Sequence, residues 1–390
     1  MIAACSPVRV SETGPALPPA PPPAVDSQEL SLRRADGVLV PLLAVDRAAD
    51  NSTDVTLAPR LTMASSSRHV QGPMAVDGST VLLSRPRPGR ADDALLVPSE
   101  VDLWGAQGAT RLGDTEAIVD DGRLRQAYGG DLDSRTAVWA ETTSTDLDTS
   151  EWRIFASDRA GGSAWLVARA EEFSAARPLP IRVADTRPVV SGDRAYWHTS
   201  HAVGPRDFQP EVVSASLRGT DVRVEIDNAV LPQPVTGGVA ALRLPKAGGS
   251  ASPSVVLIRA DGSVRTVADV VGAGTIVDFV ASGTTFAIVT NEHGILTASL
   301  ATQHAAQIEA RDGGVISGVV MCGDTVTWTE IDGTGRGQSQ YFYDGARREV
   351  DAVGVGGLIG LARCDADAIA LNTQVGSTVT TTLSRINRRE

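Results

Sequence analysis

Asp133-Ser-Arg-Thr-Ala-Val-Trp139, Ser191-Gly-Asp-Arg-Ala-Tyr-Trp197 and Cys322-Gly-Asp-Thr-Val-Thr-Trp328 are three copies of one unit: a polar turn, then an alternating strand that ends in tryptophan. Fainter copies fill the intervals: Asp77-Gly-Ser-Thr-Val-Leu-Leu83, Thr236-Gly-Gly-Val-Ala-Ala-Leu242, Ser282-Gly-Thr-Thr-Phe-Ala-Ile288 and Cys364-Asp-Ala-Asp-Ala-Ile-Ala370. The units end at 83, 139, 197, 242, 288, 328 and 370. Those intervals bracket the roughly 40–45 residues of a four-stranded propeller repeat.

Working outward from each copy, four strand-like runs can be marked per unit. In the third unit they are 187–191, 194–200, 211–217 and 221–226, and in the sixth 317–322, 325–330, 339–343 and 348–353. They are rich in Val, Ile, Thr and aromatics and are broken by Gly, Asp and Ser, as strands joined by tight turns require. Helical periodicity is nearly absent. Two stacked β-sandwiches would also give many short strands, but not one turn-strand-Trp unit recurring along the chain. The fold expected is therefore an all-β, seven-bladed β-propeller. The last unit supplies only three strands, so an open edge must be covered from elsewhere. The strand-like segment 29–45 is the expected donor, closing the last blade from the N-terminus.

The 390 residues are 42% hydrophobic and 21% charged with a net charge of −12, which excludes wholesale disorder and argues against a nucleic-acid binder or a binder of anionic membranes. No apolar run is long enough to span a bilayer as a helix. Ile2-Ala-Ala-Cys5 resembles a bacterial lipobox, although no charged and apolar leader precedes it, and Pro15 to Pro23 reads as an extended proline-rich spacer. The organisation expected is a tether over 1–27, lipidated at Cys5, and a single propeller domain over 28–390. That places the protein outside the cytoplasm, lipid-anchored to the cell membrane. Cys322 and Cys364 then remain as an even pair in a compartment that permits oxidation. They occur in consecutive units at what reads as one repeat position, and a disulfide between them is expected.

Arg153-Ile-Phe-Ala-Ser-Asp158-Arg-Ala-Gly-Gly162 and Val255-Val-Leu-Ile-Arg-Ala-Asp261-Gly262 resemble the third-strand-to-turn portion of TolB-like, WD40-like propeller repeats. The usual Ser-Pro-Asp-Gly turn of that family is replaced here by Ser-Gly-Asp or Cys-Gly-Asp. The resemblance implies an envelope-exposed, often non-enzymatic protein that binds macromolecules, and it transfers no functional residues.

In such a fold the loops between second and third strands and the linkers between blades share one face. The longer connections (84–93, 141–151, 198–210, 114–124 and 170–187) belong to blades 1–3 on that face. Loops on a rigid scaffold carry function, so the candidate binding-face residues are Trp139, Asp146, Asp148, Glu151, His198 and His201. As a set, the recurrent tryptophans are expected to fill the core between blades. Asp146-x-Asp148-x-Ser150-Glu151 lacks the sixth-position glycine and twelfth-position acid of a calcium loop. His198-x-x-His201 lacks a third zinc ligand nearby in sequence. No Gly-x-Ser-x-Gly elbow or Walker loop occurs. No metal or cofactor is expected. The main expectation is a monomeric, non-catalytic module that binds a protein or cell-wall component through the long-loop face. The alternative is a hydrolase of glycans or lactones at the mouth of the central channel, which would need carboxylates or other polar groups converging from several blades.

Overall fold

The computed structural model describes residues 29–45, 47, 54–66, 72–87, 98–119, 122–142, 152–170, 186–203, 208–219, 221–246, 249–301, 304–311, 314–331 and 338–388. Seven antiparallel sheets follow one another around a ring. Their innermost strands are Gly72–Asp77, Gln126–Leu132, Val189–Ser191, Ala229–Val235, Ile276–Ser282, Val315–Cys322 and Leu358–Asp365. The seven-bladed propeller is thus the fold. Its core is divided into seven apolar clusters among the described residues, one at each blade–blade interface. The second strand of a blade is buried on both faces, which explains its continuous apolar runs. Thr136–Thr142 is buried along its whole length.

Most turns from first to second strand are two residues long. In blades 1, 3, 5 and 6 the first turn residue is Gly78, Gly192, Gly283 or Gly323, at φ 56 to 66°, as a type II′ hairpin demands. These turns also lace blade to blade. Asp365 Oδ2 accepts the Gly78 N–H at 2.9 Å, and Asp324 Oδ1 accepts the Thr284 N–H at 3.1 Å.

Ring closure comes from the N-terminal side, but not from the expected segment. The fourth strand of blade 7 is Val55–Ser66, antiparallel to the C-terminal strand Thr378–Arg388. Its eleven paired positions outweigh what the short runs of 29–45 could supply. Residues 29–45 form an outer strap instead. Ser31–Arg34 adds antiparallel to the edge of blade 4, Leu39–Val40 folds back on it, and Leu42–Ala44 adds parallel to the edge of blade 5. Leu30, Leu32 and Val40 are buried in the interface of blades 4 and 5. At blade 6 the strap ends in Arg47. Its guanidinium lies 4.8 Å from the Tyr341 ring and 5.5 Å from Trp328, and donates to Glu330 Oε2 at 2.7 Å.

Cys322 and Cys364 are bonded through their sulfurs, with Cα atoms 5.0 Å apart. The bridge joins the inner strands of blades 6 and 7.

Candidate functional site

The seven inner strands enclose a central channel with a cavity of about 300 Å³. Side chains are drawn into it by the inward half of each strand's alternation. The lining is not the glycine, serine and threonine of an inert hub. Asp77 comes from blade 1, Asp131 and Asp133 from blade 2, Asp278 from blade 5 and Asp365 from blade 7, with Arg187 and Arg363 among them.

Asp131 stands near the turn end of its strand. Its Oδ2 accepts the Val190 N–H of the next blade at 2.9 Å. It is half-buried and lines the channel. Burial therefore pushes its carboxyl up to about 6, against hydrogen bonds from the Val190 and Leu132 N–H groups and reinforced by Asp133 and Asp365. Arg363 is the counterpart. Its Nε donates to the Met74 carbonyl of blade 1 and its guanidinium to Ala362 O, both at 2.9 Å. Burial pulls it down to about 10, helped by Arg187 and opposed by Asp278. Asp77 is bound by Arg159, which also donates to the Asp133 carbonyl at 2.8 Å. Burial lowers Arg159 from its ordinary value, with Asp365 acting against it. The arrangement is a narrow passage holding one carboxyl group that titrates near neutrality, permanent positive charge, and carboxylates tied to backbone. It can exchange a proton and orient a polar chain. Among the described residues no group of three His, Cys, Asp or Glu side chains is placed to hold a metal ion.

The sequence-derived candidates are not brought together. Asp146, Asp148 and Glu151 lie outside the described residues, as does Cys5. Trp139 does not face solvent. It is fully buried between blades 1 and 2, stacked on Phe155 at 6.0 Å, with Nε1 donating to Glu141 Oε1 at 2.8 Å. The histidines are not in a loop, because the blade 3 hairpin continues through Arg194–Ala202 and Phe208–Ser216. His198 is buried and its Nδ1 accepts the Leu231 N–H at 3.3 Å, while His201 Nδ1 stands 3.3 Å from Glu211 Oε2. Three apart on a strand, they point to opposite faces and cannot share a metal. Sequence reasoning missed Asp131, Arg363 and Arg187. For Asp131 and Arg363 the signal was position on a first strand, next to a recognised turn; Arg187 precedes the first strand of blade 3 and had no such signal.

No family model matches the chain, and no curated protein matches it in sequence. Its fold is similar to solved propellers. The β-propeller domain of the Trilobed protease from Pyrococcus furiosus superposes with a TM-score of 0.53 at 9% identity, over 83% of this chain and 96% of that one. An acylaminoacyl peptidase gives 0.53 at 11% identity, over 82% of this chain and 52% of that one. A puromycin hydrolase gives 0.52 at 13% identity, over 77% of this chain and 50% of that one. The chain thus spans about half the length of the latter two. At 9–13% identity the likeness shows the fold; the three proteins are a protease, a peptidase and a hydrolase, which runs against the expectation of a non-catalytic binding module working through the long-loop face. The alternative, a hydrolase of glycans or lactones at the channel mouth, agrees with them better in being a hydrolase, but not in its substrates.

Proposed function

We propose that this chain is a hydrolase-type propeller, the propeller part of a peptidase, and that its central channel takes the peptide chain of the substrate. The observation that carries the reading is the channel lining, in which Asp131, Asp278, Arg187 and Arg363 offer both signs of charge to a polar backbone. The likeness of fold to a protease's propeller and to an acylaminoacyl peptidase supports the peptide over other substrates. A second reading, hydrolysis of a glycan or lactone in the channel itself, is favoured by the Asp131 carboxyl alone, since a group titrating near 6 can hold and deliver a proton at neutral pH. The disulfide supports an extracytoplasmic address. The stretches at 153–162 and 255–262 support repeats of TolB-like, WD40-like type.

The test is a pair of measurements on the full chain and on Asp131→Asn: calorimetric titration with end-blocked peptides, and hydrolysis of a panel of glycosides and lactones. Saturable peptide binding, with an affinity altered by the substitution, is the expected result. Cleavage of glycosides or lactones that is abolished in Asp131→Asn, without peptide binding, selects the second reading. Absence of both peptide binding and hydrolysis removes both readings.

A further inference from the structure

A second cavity, of about 880 Å³, lies on the tight-turn face where blades 5, 6 and 7 meet under the strap. That is within the size range of small-molecule sites, about 300–1,000 Å³. Its apolar wall includes Leu42 and Leu43 of the strap, Ala306 of blade 5 and Ile386 of blade 7.

The carboxylates that line it are already engaged. Asp324 Oδ1 accepts the Thr284 and Thr285 hydroxyls at 3.2 and 2.9 Å. Asp344 Oδ2 takes Arg388 at 3.1 Å, and Asp367 takes Arg385 at 3.0 Å. Arg388 is spent on Asp344 and on the Thr325 hydroxyl. Arg348 differs from all of these. Among the described residues its guanidinium has neither an ion pair nor a hydrogen bond. Its charge acts on Tyr343, whose hydroxyl also takes no hydrogen bond from a described residue. Burial holds that phenol above its ordinary value, so at neutral pH it is a donor. The uncommitted groups of the cavity among the described residues thus include a cation and a phenol donor, beside His304 and Ser299.

The backbone gives a second, independent sign. Arg348 sits at φ +60° in the third-to-fourth-strand turn of blade 6, and its N–H closes that turn on Asp344 O at 2.7 Å. Glycine takes this conformation without strain and arginine does not. Strained backbone persists where the surrounding structure or a task requires it; Arg348 is exposed on the turn, and no hydrogen bond or ion pair among the described residues employs its side chain.

We propose that the cavity is a binding site for an organic carboxylate with an apolar body. The head is held by the Arg348 guanidinium and the Tyr343 hydroxyl, and the body packs on Leu42, Leu43, Ala306 and Ile386. The site does not depend on whether the channel takes a peptide.

Titration calorimetry on the full chain with 4-phenylbutyrate, 4-phenylbutan-1-ol and 4-phenylbutylammonium tests it, because the three share a body and differ in the head. The carboxylate should bind at least about tenfold more tightly than the alcohol, as a charge-assisted bond to arginine provides, and the ammonium most weakly. Arg348→Gly should lower carboxylate affinity about tenfold, leave the alcohol unchanged and raise the melting temperature by relieving φ. Arg348→Asn, which also tolerates this φ, serves if the glycine variant is poorly folded. Equal affinities for the three probes, absence of binding, or a carboxylate affinity that survives loss of Arg348 would overturn the proposal.

Discussion

Cys322 and Cys364 face each other because they are not equivalent positions of the repeat. Cys322 is the last residue of its inner strand and pairs with Thr325, whereas Cys364 is the last but one and pairs with Ile369. Successive residues of a strand point to opposite faces, so equal positions in neighbouring blades turn the same way around the ring and cannot meet. Met321, which in blade 6 holds the place of Cys364, packs toward blade 5, while Cys322 packs with Cys364 toward blade 7. A one-residue offset is what brings the sulfurs together.

The bridge closes a sequence separation of 42 residues. On the chain-entropy account it should stabilise the ring by about 2–4 kcal/mol. Urea unfolding of the oxidised protein against the Cys322→Ser, Cys364→Ser double variant should show a lower midpoint for the variant. Identical midpoints, or two thiols reacting in the denatured, unreduced protein in addition to Cys5, would exclude the bridge.

The same offset leaves Ala366 at the turn position that is glycine in blades 1, 3, 5 and 6, and its φ is +40°. An L-residue there costs about 1–2 kcal/mol, while glycine gives back about 0.4–1 kcal/mol through the unfolded chain. Ala366 is exposed, so its methyl group contributes little packing. Ala366→Gly should therefore stabilise the protein by about 0.5–1 kcal/mol. The converse, Gly323→Ala, should destabilise it by a similar amount. Paired denaturant curves read both.

The repeat was legible because turn and second strand are local features: Gly or Asp at the turn, then apolar residues on both faces. The number of blades and the origin of the closing strand on the N-terminal side followed from that count. The identity of the closing strand did not, because 29–45 and Val55–Ser66 are both strand-like and only the pairing with Thr378–Arg388 distinguishes them. The channel lining was hidden for another reason. The first and second strands slip register in blade after blade, at Pro73/Ala75, Ala140/Glu141, Val230/Gln233, Ile276/Asp278, Ser317/Val320 and Ile359/Arg363. Each such irregularity breaks the period of two, but Asp131, Asp278, Arg363 and Asp365 lie on the turn side of theirs; what the sequence does not carry is which face of each first strand turns to the channel, since that is set by the ring and not by the strand.

Arg47 fastens the strap to blade 6. Its side chain is 9% exposed and that of Glu330 3%. Arg47→Ala removes the cation from two aromatic rings and leaves a buried carboxylate short of its partner, a loss of about 3–5 kcal/mol where a buried pair is broken. Arg47→Ala, Glu330→Gln should recover much of it. A single variant that melts with the parent protein would show that the strap is not anchored there.

Asp131 makes stability depend on pH in a direction opposite to that of most paired carboxylates. Its native carboxyl titrates at about 6 and the ordinary value is 3.8. Below about pH 4 both folded and unfolded chains hold the proton, and burial carries no charge penalty. As pH rises toward 6 the unfolded chain releases its proton first, so stability falls through this window, by about 3 kcal/mol in all from this one group. Asp131→Asn keeps an oxygen for the Val190 N–H and removes the charge. The variant should match the parent near pH 4 and exceed it in melting temperature by a few degrees at pH 7.5. A difference between the two proteins that is constant from pH 4 to 7.5 would mean that the carboxyl is not raised. The channel would then lack, among the described residues, the group able to exchange a proton near neutrality, and the glycan or lactone reading would lose its support.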